Sequence, residues 1–181
     1  MSTRQGARLA ARLLRTALSI VAFFPAAAFT ADAPSAGLAP RAIAWAEQQS
    51  AAVARAGRAL TPAQSELAKS VGVRHPELIR IQVVENFPLP QDAEVKAAAM
   101  RIGLDRPSII GLTLGHSVLL RRGFENDVEL LSHEFRHVWQ YEDRGGIAPF
   151  LVQHLQDLAR FGYDDSPFEV DARAHEVSRG L

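Results

Sequence analysis

The sequence predicts one small α+β domain that is mostly helical, with a short sheet ahead of its central helix. Three features of the 181 residues support this: proline-free stretches with helical spacing of apolar residues, shorter runs rich in β-branched residues, and glycine or proline between them. At 48% hydrophobic and 22% charged residues, the chain is too apolar to be disordered. Beyond a leader, we expect a helical part with one strand at residues 34–104 and a second part at residues 105–181.

The first 33 residues are expected to be a signal peptide rather than part of the fold. Residues 1–15 contain four arginines and no acidic residue, and residues 16–31 contain no charge. A basic lead followed by an apolar run and small residues is the layout of a secretory leader, here with cleavage after Ala28 or Ala33. The protein is therefore expected to be exported, either periplasmic or secreted.

Two other interpretations of this segment are weaker. A membrane anchor needs about 20 apolar residues, whereas this run is shorter and contains Pro25. An uncleaved anchor is the lesser alternative, and no stable membrane span is expected once the leader is removed. A mitochondrial presequence would alternate as an amphipathic helix, which the continuous apolar block does not do.

Charge and cysteine content narrow the possible functions. Lys and Arg (20) balance Asp and Glu (20) in the full chain. Cleavage after Ala33 would remove four arginines and one aspartate and leave a net charge of −3, so we expect no nucleic-acid partner. The chain contains no cysteine, which excludes disulfides and thiolate zinc sites and limits metal ligands to nitrogen and oxygen.

Two helices are predicted near the start of the mature chain. After a linker at residues 34–40, the alanine-rich stretch 42–60 is expected to be helical. Thr61 and Pro62 supply an N-cap and a proline at the first helical position. A second helix should therefore begin there and reach about Val71.

The next stretches predict the sheet. Residues 78–84 are β-branched and partly alternate between apolar and polar side chains, which predicts a strand. A helix at 92–102 follows and is closed by Gly103. Residues 108–123 contain two β-rich runs on either side of Gly115, which predicts a hairpin or a bent strand.

Three further helices are predicted in the last third of the chain. The first runs from about Glu125 to Arg144 and is stopped by Gly145 and Gly146. The second spans about 147–161 and ends at Gly162. The last begins at Ser166 and is expected to continue nearly to the C-terminus.

The first of these three helices carries the motif H-E-x-x-H, as His133-Glu134-Phe-Arg-His137. Residues four apart on a helix lie nearly on the same face, so the two imidazoles can point at one metal ion. Two neutral imidazoles suit Zn²⁺. The glutamate cannot easily join the same coordination shell, but it can take a proton from zinc-bound water and pass it to a leaving amine.

A plain helix with unrelated histidines is the alternative interpretation of the motif. The motif residues share their helix face with Leu130 and Tyr141 and this face looks buried, so unpartnered polar side chains there would be costly. A metal ion would give them a partner. A second face of the same helix is predicted to pack in the core through Leu131, Phe135 and Val138.

A catalytic zinc site needs a third protein ligand and an open fourth position. Glu169 is the best placed candidate, because the 31 residues after His137 allow a turn, an antiparallel helix and a return. Ser166-Pro-Phe-Glu169 also matches a capping box, in which Glu169 would bond to the backbone N–H of Ser166. The ligand role is preferred, and both remain open here. Asp171, His175 and Glu176 are the reserve ligands.

The motif and a later helix bearing Glu169-x-x-Ala172 resemble the gluzincins, the thermolysin-like branch of zinc metallopeptidases, in a minimal single-domain form. The likeness covers about residues 105–177, less than half of the chain. It implies a zincin-like fold for the metal-binding part at 105–181. The flanking residues are similar too: Leu130-Leu131 before the motif, Val138-Trp139-Gln140 after it, the strand Gly111–Leu120, and Pro167-Phe168 before Glu169.

The resemblance also implies a role for each motif residue. In several gluzincins an aspartate four residues after the ligand glutamate orients a zinc-bound histidine. Here Arg173 occupies that position, so Asp171 or Glu176 would have to take over the orienting role. The zinc ligands implied by position are His133, His137 and Glu169, and the implied general base is Glu134.

Substrate binding in zincins uses an edge strand upstream of the motif helix, to which the substrate backbone adds as a further strand. Residues 108–114 or 117–121 are the counterparts here. A donor that stabilises the oxyanion is also expected, from a tyrosine, histidine or arginine. The candidates are His154, Tyr163, His116 and His175.

Together these observations predict a zinc-dependent peptidase or peptidase-like hydrolase acting on a peptide or protein, in which zinc-activated water attacks an amide carbonyl. The alternative is a catalytically inactive zincin-like module of the cell envelope, in which zinc serves binding or structure. The small size favours this alternative, because about 75 residues around the motif leave little material for a deep cleft.

Overall fold

The computed structural model describes residues 37–101 and 103–178, and the predicted signal peptide at 1–33 lies outside them. In the described part the chain is an α+β fold dominated by helices, as predicted, and no helix there is long and apolar enough to cross a membrane. The elements are α1 (Leu38–Ala56), β1 (Arg58–Ala59), α2 (Pro62–Ser70), β2 (Arg80–Val84), α3 (Ala93–Arg101), β3 (Gly111–Leu114), β4 (Ser117–Arg121), α4 (Val128–Arg144), α5 (Ile147–Phe161) and α6 (Pro167–Ala174).

The four strands form one sheet in the order β1-β2-β4-β3. β2 and β4 are parallel, whereas β1 pairs with β2 and β3 pairs with β4 in antiparallel fashion. The predicted hairpin is confirmed, and Gly115 turns it with a φ of +65° that favours glycine. Because β4 lies between two strands, the prediction of 117–121 as the substrate-binding edge is wrong; β3 is the edge strand on this side.

Helices cover both faces of the sheet. Successive side chains of a strand point to opposite faces, so neighbouring residues of β4 belong to different clusters. Val118 and Leu120 of β4 pack in a cluster with α2 and α4. Leu119 belongs to a second cluster with α1, α3 and α5. The predicted core residues of α4 all lie in the first cluster and are buried: Leu131, Phe135 and Val138.

The first helix differs from the prediction at both ends. α1 begins at Leu38, so Pro40 lies in its first turn instead of in a linker, a position where a missing N–H breaks no helical hydrogen bond. It ends at Ala56 because the chain leaves the helix at Gly57 and the next two residues pair with β2. The predicted start of α2 is confirmed by a complete capping box between Thr61 and Gln64.

The last helix is shorter than predicted. α6 ends at Ala174, and the N–H groups of His175 and Glu176 bond back three residues in a tightened turn. The chain then returns to α4, where the N–H of Val177 donates to Ser132 Oγ at 2.8 Å. This return places Glu176 beside the motif helix instead of on the face of a longer α6.

Candidate metal centre

The motif lies in the middle of α4, the most enclosed helix of the structure. Asp127 caps its start by accepting from the Leu130 N–H at 3.2 Å, and Gly145, with a φ of +85°, ends it. β3, α2, α5 and α6 all pack around it. The motif side chains are consequently buried: His133 is 2% exposed, and Glu134 and His137 are 0% exposed.

α6 packs against α4 and brings Glu169 to the two histidines. The Nε2 atoms of His133 and His137 lie 3.0 Å apart. Glu169 Oε2 is 3.5 Å from the first of these nitrogens, and Oε1 is 3.6 Å from the second. The three residues are all buried, and their possible ligand atoms lie within 4.8 Å of one another. The structure thus brings together the three predicted ligands.

The hydrogen bonds of Gln140 fix which nitrogen of His137 carries the proton. Gln140 Nε2 donates to the carbonyl of Phe168 at 2.9 Å and to Asp171 Oδ2 at 2.7 Å. Its Oε1 must therefore accept from His137 Nδ1, which lies 2.8 Å away. The lone pair of His137 is then on Nε2, and Asp171 orients this histidine through the amide.

Glu176 orients the other histidine, His133, by direct contact. Its Oε1 lies 2.8 Å from His133 Nδ1, and a carboxylate can only accept there. When this imidazole is neutral, its lone pair is therefore also on Nε2. Carboxylates and amides that hold the far nitrogen of a histidine are typical of metal sites.

The geometry of this group fits a metal ion. With both imidazoles neutral, two nitrogen lone pairs 3.0 Å apart repel unless a metal ion or a proton lies between them. Both oxygens of Glu169 are buried without a hydrogen-bond partner among the described residues. Ligand atoms of a tetrahedral zinc site are about 3.3 Å apart. The two nitrogens are 3.0 Å apart, and each lies 3.5 or 3.6 Å from a different oxygen of Glu169. This buried His-His-Glu group could hold a metal ion.

The electrostatics of the pair also favour one cation. Burial lowers the pKa of His133, but the carboxylates of Glu169 and Glu176 outweigh burial and raise that pKa to about 10. Burial lowers the pKa of His137 to about 3. One positive charge is thus favoured at this group, either a proton on His133 or a bound metal ion that takes the place of the proton.

The capping box considered as an alternative role for Glu169 is not formed. Ser166 is the N-cap residue of α6, but its side chain makes no capping hydrogen bond. Its Oγ lies 3.5 Å from Nδ1 of His154 instead. Glu169 points into the histidine group and leaves the helix end without a side-chain cap.

Glu134 lies against the edge strand β3. Its Oε2 accepts from the Thr113 hydroxyl at 2.6 Å, while Oε1 has no hydrogen-bond partner in the part of the chain that the structure describes. Burial raises the pKa of Glu134 to about 8. A Cβ at Gly111 would lie 2.3 Å from Oε1, so only glycine leaves room for the carboxylate at that position of β3.

Gly111→Ala is expected to lower the free energy of unfolding by about 1–3 kcal/mol, because the added methyl group displaces Glu134. Denaturant unfolding measures the change. Gly37→Ala is the matched control, since its Cβ would meet nothing closer than 3.8 Å. In a Glu134→Ala background the same Gly111 substitution should be milder. Equal effects in both backgrounds would show that the glycine does not accommodate the glutamate.

The remaining candidates are placed as follows. His116 lies 2.9 Å from Glu142, and His175 bonds to the Asp171 carbonyl at 2.8 Å, so neither joins the group. Tyr163 is buried, and burial followed by the charge of Glu169 raises the pKa of this tyrosine well above its usual value. His154 has Nε2 at 3.9 Å from Glu169 Oε1.

The remaining candidate for substrate addition, β3, is buried along all four residues. The carbonyl of Thr113 already accepts from the Tyr141 hydroxyl at 3.1 Å. A substrate strand added here would therefore have to displace the tyrosine. The sequence interpretation did not anticipate this contact.

Sequence reasoning also missed Gln140, Thr113 and Gly111. For two of them, a sequence feature could have indicated a role in the site. Gln140 follows His137 by three residues and so lies on the same face of the helix, and Thr113 is the only polar residue of β3. The role of Gly111 had no signal, because its close approach to Glu134 depends on how β3 crosses α4.

Comparison with family models, with curated proteins and with solved structures gives no match for this chain. What defines its class is therefore its own fold and site. The chain is an α+β protein with a buried His-His-Glu group that could hold a metal ion.

Proposed function

We propose that this chain is an exported zinc-dependent peptidase or peptidase-like hydrolase, a minimal zincin-like relative of the gluzincins. In this proposal His133, His137 and Glu169 bind zinc, and Glu134 is the general base. The nitrogen and oxygen donors of the group suit Zn²⁺. The motif and its flanking residues support the choice of an amide bond as the target.

The observation that carries the proposal is the position of Glu134. Holding a metal ion does not require this carboxylate, since two histidines, one glutamate and their partners already form the group. Burial disfavours its charge, and Oε1 lacks a hydrogen-bond partner among the described residues. The fold nevertheless provides Thr113 to hold one oxygen and Gly111 to make room for the other. A buried glutamate whose pKa is raised towards neutral pH and whose second oxygen is left without a partner is typical of a group that transfers protons in catalysis.

The chain's own residues then have separate tasks. A bound zinc ion would supply a Lewis acid that polarises a carbonyl and lowers the pKa of water. Glu176 and Gln140 keep both imidazoles oriented with Nε2 towards the ion. Glu134 accepts a proton at Oε1 and delivers it to the departing amine, while the Thr113 hydroxyl holds Oε2.

One observation favours the second candidate, a non-enzymatic module of the cell envelope stabilised by zinc. His133 is 2% exposed and His137, Glu134 and Glu169 are 0% exposed. A substrate could reach them only after the surrounding helices move. A site that only stabilises the fold requires no such movement.

Zinc content and peptide cleavage of the purified chain, measured together, test the proposal. About one equivalent of zinc and chelator-sensitive cleavage of a broad peptide library are the expected results. Zinc without any turnover would establish the stabilised module instead. A chain that binds no zinc at all would contradict both candidates.

Glu169→Ala is expected to weaken zinc binding by more than about 100-fold, because loss of a residue that merely orients a ligand already weakens it 10–100-fold. Competition with a chelator measures the affinity. Val170→Ala is the matched control, since it lies next to Glu169 on α6 but is 49% exposed. Unchanged affinity in the Glu169 variant would remove this residue from the ligand set.

A further inference from the structure

His154 lies on α5, next to the His-His-Glu group but outside it. The side chain is 0% exposed, and its ring packs 5.1 Å from the ring of Phe150 and 5.3 Å from that of Phe168. Its Nε2 has no hydrogen-bond partner in the described ranges and lies 3.9 Å from Glu169 Oε1. A buried polar atom directed at a buried carboxylate calls for an explanation.

Ser166 explains how the ring is held. As the N-cap residue of α6 it would ordinarily bond to the backbone, yet its hydroxyl makes no capping bond and lies 3.5 Å from Nδ1 of His154. If the hydroxyl donates to Nδ1, the ring hydrogen is on Nε2 and points to Glu169. The opposite tautomer would turn a lone pair towards the carboxylate, which is electrostatically unfavourable.

We propose that His154 is a positioning residue for Glu169. Its Nε2–H holds Oε1 of the carboxylate, so that Oε2 remains for the metal ion. The present 3.9 Å is about 1 Å longer than a hydrogen bond, so the proposal requires the carboxylate to move towards His154 by about that difference when the metal ion binds. Carboxylate ligands of metal ions are commonly held by such outer hydrogen bonds. The inference rests on the metal site of the proposed function.

His154 is not itself assigned as a ligand. The set of residues whose possible ligand atoms all lie within 4.8 Å of one another contains His133, His137 and Glu169 without it. A positioning residue and a ligand differ in what their removal does. Loss of a ligand alters the coordination of the ion, whereas loss of a positioning residue weakens binding and leaves the coordination unchanged.

The test compares His154→Phe with His154→Gln in the full chain. Phenylalanine keeps the aromatic packing but lacks the N–H, and glutamine keeps a donor. The phenylalanine variant is expected to bind Zn²⁺ at least about tenfold more weakly in competition with a chelator. The glutamine variant is expected to recover most of the affinity. His75→Phe is the control, because the side chain of His75 is 59% exposed and its contact is with Glu77 instead of the group.

The absorption spectrum of Co²⁺ bound to the chain reports the coordination of the ion, which a change in packing alone would not alter. The spectrum of the His154→Phe variant is expected to keep the wild-type shape, and a changed shape would make His154 a ligand and overturn the proposal. Wild-type affinity in the phenylalanine variant, or equal weakening in both variants, would also overturn it. Absence of metal binding in the wild type would instead refute the proposed function.

Ser166→Ala keeps the proposal testable if the phenylalanine variant does not fold. The hydroxyl does not cap α6, so its loss should leave the helix intact. Removing it frees the tautomer of His154, and we expect weaker Zn²⁺ binding than in the wild type. Wild-type affinity in this variant would overturn the positioning role.

Discussion

Glu134→Gln is expected to retain zinc and to cleave peptides about 10²–10⁴-fold more slowly than the wild type, the range typical of a lost general base. The amide has the same shape as the carboxylate. Its oxygen can still accept from the Thr113 hydroxyl, which in the wild type lies 2.6 Å from Glu134 Oε2. It cannot accept a proton from water at neutral pH. Zinc content, measured on the same preparation as the cleavage rate, separates loss of the base from loss of the ion.

The control for this variant is Glu129→Gln. It changes the same residue type on the same helix, but Glu129 is exposed to solvent. Without a bound cation, burial raises the pKa of Glu134 to about 8, so the side chain is mostly protonated at neutral pH. Glutamine is a neutral isostere of that form and should not lower the thermal stability. Normal cleavage by Glu134→Gln would show that another group is the base, and loss of zinc would make Glu134 a ligand.

Most elements of the fold could be predicted because their signals are local. Thr61 and Pro62 marked the start of α2, and Gly115 marked the turn between β3 and β4, since capping and positive φ depend on a few neighbouring residues. The failures occurred where a distant segment decides. The end of α1 depends on pairing with β2, and the end of α6 depends on the contact of Val177 with α4.

The residues of the candidate site also divide into those placed by local spacing and those placed by contacts with a distant segment. The spacing of His133 and His137 is a helical property, so their common face could be predicted from the sequence. The choice between the ligand and capping roles of Glu169 could not, because Ser166-Pro-Phe-Glu169 fits a capping box locally. Only the packing of α6 on α4 turns the carboxylate inwards.

The orienting residues also needed the tertiary structure. Sequence similarity pointed to Asp171 or Glu176 as substitutes for an aspartate that this chain replaces by Arg173. The structure uses both: Glu176 contacts His133 directly, and Asp171 acts on His137 through Gln140. The latter chain of contacts joins α4 and α6 and has no signature in either segment alone.

Removal of zinc is expected to lower the thermal midpoint by about 5–10 °C. A ligand present at 100 times its dissociation constant stabilises a fold by about 2.7 kcal/mol, and each kcal/mol shifts the midpoint of a domain of this size by about 2–4 °C. The physical reason lies in the group itself. Without the metal ion, only a proton on His133 can relieve the repulsion between two imidazole nitrogens 3.0 Å apart, and both oxygens of Glu169 stay buried without a hydrogen-bond partner among the described residues.

Thermal unfolding with added zinc and with excess chelator measures this shift. His137→Ala is the control, because a chain that lacks one ligand should melt at the same temperature in both conditions. Equal midpoints for the wild type would show that no ion is bound at this group. Both functional candidates predict the shift, so its combination with the cleavage assay is decisive. Zinc stabilisation with cleavage that depends on Glu134 identifies a peptidase, and zinc stabilisation without cleavage identifies a module that uses the ion to hold α4 and α6 together.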